Sequence, residues 1–203
     1  MKEFWNQRYS LDEYAYGEEP NVYFKEQLIK LKPGKILLPA EGEGRNAVYA
    51  AKLGWDVFAF DMSDQGKIKA LQLAQKNNVT IQYEVCELEN IALEKGSFDA
   101  IGLIYAHFPP NVKSAYYRKL TESLKKDGTL IIEAFTRSHA EFQKVNPNAG
   151  GPRNLEMLCS LEEMERDFTD FQIIELVEQE TELAEGNGHL GKAAVIRFLG
   201  KKK

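Results

Sequence analysis

The residues best placed to do chemistry lie in one run, Lys35-Ile-Leu-Leu-Pro-Ala-Glu-Gly-Glu-Gly-Arg-Asn-Ala47, followed by Asp61 at the end of the next apolar stretch. The run reads as strand, glycine turn and helix, with a carboxylate closing the following strand. Gly42 and Gly44 let the backbone turn sharply and approach a ligand closely. The helix that starts after them offers free N–H groups at the same place. Asp61 stands 19 positions after Gly42, where a carboxylate can accept both hydroxyls of a ribose. Glu41 and Glu43 would repel a pyrophosphate, whereas an ammonium and a sulfonium would suit them. The expected ligand is therefore S-adenosylmethionine, with S-adenosylhomocysteine as product, and the expected reaction is methyl transfer.

Other candidates surround this turn. Met62 follows Asp61 and could pack on an adenine face. Glu87 and Leu88 follow the third strand, where they would border the adenine. Tyr105 and His107 end the fourth strand, on the side where a methyl group would be transferred. His107 is the candidate to orient or deprotonate an acceptor. Trp5, Tyr9, Tyr14 and Tyr16 form an aromatic cluster that could fold over the cofactor, because aromatic faces attract a sulfonium much as they attract an ammonium. Trp5 and Tyr105 are assigned to the cofactor, and Tyr16 and His107 to the substrate. Arg153, beside Gly150-Gly-Pro152, and His189, in a glycine-rich turn, are further substrate candidates.

The elements that must hold these residues follow from hydrophobic period and turn chemistry. A helix is expected from Asn21 to Pro33. Strands are expected at 35–38, 56–61, 80–85, 98–105 and 129–135. Helices are expected at 45–53, 64–77 and 112–126, with Asp127-Gly128 closing the last. Ser160 and Glu163 make a capping box for a short helix at 161–168. Two further strands, 171–183 and 192–200, are separated by a short glycine turn and should pair antiparallel. The outcome is an α/β, Rossmann-like fold: a mostly parallel seven-stranded sheet, a C-terminal antiparallel hairpin, and helices on both faces. One domain is expected over 1–203: an N-terminal lid arm and helix at 1–33, a cofactor-binding core at 34–135, and a substrate-side loop, short helix and hairpin at 136–203.

Composition excludes several classes. A net charge of −5 argues against nucleic acid as partner. No apolar run is long enough for a membrane span, and no signal peptide is expected. Cys86 and Cys159 have no metal spacing, which predicts reduced thiols, a cytoplasmic protein and no bound metal. A monomer or weak homodimer acting on a small-molecule acceptor is expected. Two rival functions remain open. The Gly42-x-Gly44-x-x-Ala47 pattern also fits an NAD-dependent oxidoreductase, and a non-catalytic cofactor-binding module is the other alternative.

Several segments together resemble a known family. Phe4-Trp5-Asn-Gln-Arg-Tyr9, Tyr16-Gly-Glu-Glu-Pro-Asn21, Glu41-Gly-Glu-Gly-Arg-Asn-Ala47, Gly150-Gly-Pro152 and Glu185-Gly-Asn-Gly-His189 resemble the class I methyltransferases of the tellurite-resistance (TehB-like) type. The Pro39-x-x-Gly turn is similar to that of thiopurine methyltransferases. The resemblance implies S-adenosylmethionine as donor. It places Glu41, Gly42 and Gly44 along the methionine, Asp61 on the ribose, and Glu87 with Leu88 beside the adenine. Such families usually carry Asp where this chain has Leu38 and Gly where it has Ala40, so Glu41 is expected to replace the missing strand acid.

Overall fold

The computed structural model describes residues 1–203. Helix α1 (Lys2–Tyr9) and helix α2 (Val22–Leu28) precede strand β1 (Lys35–Pro39). Helix α3 (Arg45–Lys52), β2 (Asp56–Asp61), α4 (Asp64–Lys76), β3 (Gln82–Val85) and β4 (Phe98–Ile104) follow. The second half holds α5 (Lys113–Glu122), β5 (Leu124–Phe135), α6 (His139–Val145), α7 (Leu161–Asp167), β6 (Phe171–Glu185) and β7 (His189–Lys202). The strand order is β3-β2-β1-β4-β5-β7-β6. Strands β1 to β5 run parallel, and β7 inserts antiparallel between β5 and β6.

The apolar strands are buried on both faces, as a parallel sheet requires. One core layer packs Tyr23, Phe24, Leu28, Val48 and Leu73 from α2, α3 and α4 against Ile36, Leu38 and Ala59. The other packs Tyr117, Leu120, Met164 and Phe168 from α5, α7 and the turn after α7 against Leu37, Ile101 and Ile132. Helix starts are capped locally. Asn21 accepts from the Phe24 N–H, Ser63 from the Gly66 N–H and Ser160 from the Glu163 N–H.

Several elements depart from the sequence expectation. The aromatic N-terminal arm opens with a helix, α1. Helix α5 stops at Glu122 rather than near Lys126, because Leu124 is drawn into register with Phe98. Asp127 takes φ 61 within β5, where a helix end was expected. An additional helix, α6, follows β5. The hairpin is longer than expected, and Glu185 and His189 become its last paired residues.

The sheet's order reverses between β1 and β4, so the C-terminal ends of β1, β2 and β4 open a crevice there. In open α/β sheets this is where ligands bind. No helix is long and apolar enough to cross a membrane.

Candidate active site

The glycine turn sits at that crevice and is held from three sides. Gly42 and Gly44 take φ 58 and φ 86, a region that side-chain-bearing residues rarely adopt. Tyr83 on β3 donates a 2.6 Å hydrogen bond to the Gly42 carbonyl. Asp61, at the end of β2, accepts the Gly42 N–H at 3.1 Å and the Ser63 N–H at 2.9 Å. Its carboxylate is buried, and burial raises its pKa against those two backbone bonds. Each oxygen keeps a second lone pair, so hydroxyl donors can still be accepted.

Glu41 follows β1 and accepts the Ala47 N–H at 2.7 Å, satisfying a free donor in the first turn of α3. Burial pushes its carboxyl up to about 7, against the opposing pull of the Ala47 N–H and the Arg45 charge. Glu43 behaves differently. It accepts the Ala15 N–H at 2.8 Å and pairs with Lys69 at 2.7 Å. The expectation that both glutamates face a ligand is corrected: Glu43 is neutralised by Lys69 and anchors the arm.

The arm lies across the turn. A Cβ on Gly42 would stand 2.6 Å from the Tyr9 hydroxyl. Trp5 stacks on Tyr9 at 5.5 Å, and the Arg8 guanidinium sits 4.8 Å over Phe4 and 5.4 Å over Trp5. These rings therefore already hold one cation. Lys69 fastens the arm by donating to the carbonyls of Leu11 at 2.8 Å and Glu13 at 2.6 Å.

The remaining candidates divide. Met62 is half-buried beside Asp61, and Glu87 is exposed after β3. Leu88 is buried in a core layer. Tyr105 ends β4 with φ 52 and donates a 2.9 Å hydrogen bond to Glu133. Tyr16 accepts from Arg8 at 2.6 Å and packs 4.4 Å from the His189 ring.

His107 is a correction. Its Nε2 accepts the Phe135 N–H at 3.3 Å, and its Nδ1 lies 3.1 Å from the Met157 carbonyl. Burial pushes it down to about 4, so it is neutral with both nitrogens occupied. It has no free nitrogen to take a proton. Arg153 is exposed and donates to the carbonyls of Gln143 and Pro147, tying its own loop together rather than reaching a ligand.

Sequence reasoning missed a buried polar network beneath the site. Asn21 donates to Glu133 at 2.7 Å and to Glu185 at 3.0 Å. Arg197 reaches Glu133 at 2.6 Å, and Arg45 reaches Glu185 at 2.9 Å. The isolated Glu133 within an apolar strand was the available signal.

Residues 36–128, which contain the turn, Asp61 and Tyr105, match the family model described as a methyltransferase domain. The match covers a little under half of the chain. No curated protein matches the sequence significantly. Solved structures with the same fold span the whole chain. The chain aligns with TehB from Haemophilus influenzae at 18% identity and TM-score 0.73, over 100% of this chain and 67% of that one. A structure concerned with converting a disulfide bond into a thioacetal group during echinomycin biosynthesis gives 18% identity and TM-score 0.75, over 100% and 92%. Burkholderia thailandensis 1,6-didemethyltoxoflavin-N1-methyltransferase, with its substrate and S-adenosylhomocysteine bound, gives 16% and 0.63, over 90% and 79%. At these identities the likeness is one of fold: the chain shares the Rossmann-like, mostly parallel seven-stranded sheet with antiparallel β7.

Proposed function

We propose that this protein is an S-adenosylmethionine-dependent methyltransferase that moves a methyl group to a small-molecule acceptor by in-line displacement. One observation carries the reading. Glu41 and Asp61, two carboxylates at the ends of neighbouring strands, flank a single glycine turn whose amide bonds to one of them.

Bound there, S-adenosylmethionine supplies an electrophilic methyl on a sulfonium. The chain's own residues bind, orient and exclude water. Asp61 accepts the ribose hydroxyls, and Glu41 accepts the ammonium in place of the missing strand acid. Gly42 and Gly44 allow close approach along the methionine. Met62, Glu87 and the backbone at Leu88 border the adenine. Trp5 and Tyr9 cover the sulfonium from the arm, which must lift to admit the ligand. Tyr16, Tyr105 and His189 line the acceptor side. In this reading the protein is cytoplasmic, a monomer or weak homodimer, and has no nucleic-acid partner.

Titration calorimetry with S-adenosylhomocysteine, and with NADH in parallel, tests the proposal. Micromolar binding of the first and none of the second is expected. The reverse would make the domain a short dehydrogenase, and binding of neither would refute the assigned pocket.

A further inference from the structure

All three histidines of the chain pack around one ring, Phe135, with centroids 5.7 Å away for His107, 4.1 Å for His139 and 5.2 Å for His189. Two are fully engaged. His107 uses both nitrogens on backbone groups. His139 accepts the Ala194 N–H at Nδ1 (3.3 Å), and its Nε2 lies 3.2 Å from the Gly150 carbonyl. His189 differs. Its Nδ1 lies 3.0 Å from Glu185 Oε2, while Nε2 has no hydrogen-bond partner and is not among the sealed buried atoms.

The state of that ring follows from its neighbours. Burial opposes ionisation of Glu185, but the hydrogen bond from His189 and the Arg45 guanidinium outweigh it and hold the carboxyl at about 2. An ionised carboxylate can only accept, so Nδ1 carries the proton and Nε2 presents a lone pair. Burial keeps the ring neutral, pushing His189 below the ordinary histidine value despite Glu185. A base, an orienting carboxylate and a cation behind that carboxylate form a chain of the kind used for proton removal.

The placement suits that role. Glu185 and His189 form the last rung of the β6–β7 hairpin. The His189 ring meets Tyr105, at the end of β4, edge-on at 4.5 Å, and meets Tyr16 at 4.4 Å. Gly150 lies over it, and a Cβ at that position would overlap the imidazole. The loop therefore approaches the base by backbone alone.

We propose that His189 is the general base of this methyltransferase and that its acceptor is a flat molecule whose nucleophilic heteroatom carries a hydrogen, of the phenol or azole class. This rests on the methyltransferase reading above. The aromatic walls favour an aromatic body. The heteroatom forms its bond to the methyl carbon, the sulfonium sulfur keeps the electron pair of the broken C–S bond, and the heteroatom's proton goes to Nε2. The resulting imidazolium is compensated by Glu185. A chalcogen oxyanion has no such proton to lose and would leave this base without a task.

The test uses the full chain labelled with 15N-histidine and saturated with S-adenosylhomocysteine. Long-range proton–nitrogen spectra should show His189 bare at Nε2. Adding 4-nitrophenol should move that resonance towards the protonated range, while 4-nitroanisole, which lacks the hydrogen, should not. An Nε2 that already carries hydrogen, an unmoved resonance, or equal movement with the ether would overturn the proposal. Binding of S-adenosylhomocysteine is read separately by calorimetry. If it fails, the methyltransferase reading falls, while the tautomer of His189 is still read on the free protein. For any acceptor turned over, His189→Gln should lower kcat by about a hundredfold or more and leave S-adenosylhomocysteine affinity unchanged. An unchanged kcat would also sink the idea.

Discussion

Lys69 on α4 and Glu43 in the glycine turn form a 2.7 Å ion pair, and both side chains are buried. The same ammonium also binds the carbonyls of Leu11 and Glu13, so one lysine joins the turn, the helix and the arm. Removing one partner of a buried pair leaves an uncompensated charge, which costs about 3–5 kcal/mol. Lys69→Met should therefore lower the urea midpoint by a shift of that scale and expose residues 10–20 to protease. Adding Glu43→Gln should recover part of the loss. A midpoint equal to the parent's would show that the arm is held by other contacts.

Asp61→Ala should weaken S-adenosylhomocysteine binding at least tenfold, about 1.4 kcal/mol, since a charged hydrogen-bond acceptor is lost. The same change frees the amides of Gly42 and Ser63, so a folded variant should be verified by its thermal transition first. Undiminished affinity by calorimetry would remove Asp61 from the ribose.

Glu41 makes stability depend on pH. Its carboxyl is raised from 4.5 to about 7, so between these values the native state holds a proton that the unfolded chain has lost. The stabilisation is complete below the lower value and disappears as pH rises through the upper one. Glu41→Gln should therefore raise Tm relative to the parent above neutral pH and change it little in acid. A ligand ammonium reverses the preference by favouring the carboxylate. Calorimetry of the parent in buffers of different ionisation enthalpy should detect proton release on binding near pH 6, and its absence would place the ammonium elsewhere.

Asn21 caps α2 and also donates to two buried carboxylates, Glu133 and Glu185. Losing a cap costs about 1 kcal/mol, and losing a bond to a charged group about 1.5–3 kcal/mol. Asn21→Ala should lose about 3 kcal/mol in denaturant titration, far more than an exposed cap would. A loss of 1 kcal/mol or less would mean the carboxylates are satisfied without it.

Much of the scaffold was legible because its signals are local. The boundaries of β2 and α4 followed from apolar runs, a Ser63 cap and the Asp61 terminus, all within a few residues of each other. Where a distant partner intervened, the reading failed. Helix α5 has good helical composition past Glu122, but pairing of Leu124 with Phe98 extended the sheet instead.

The sequence by itself determined the glycine turn, the seven strands and their succession along the chain, and the positions of Glu41 and Asp61, because spacing along the chain places them at strand ends. Tertiary structure alone decided what the side chains face. It turned Glu43 towards Lys69, occupied both nitrogens of His107, and left His189 with one nitrogen free. Those outcomes depend on contacts such as His107 with Met157 and Arg45 with Glu185, which lie far apart in the chain. A histidine's chemistry is set by the partners of its two nitrogens, and no local pattern records them.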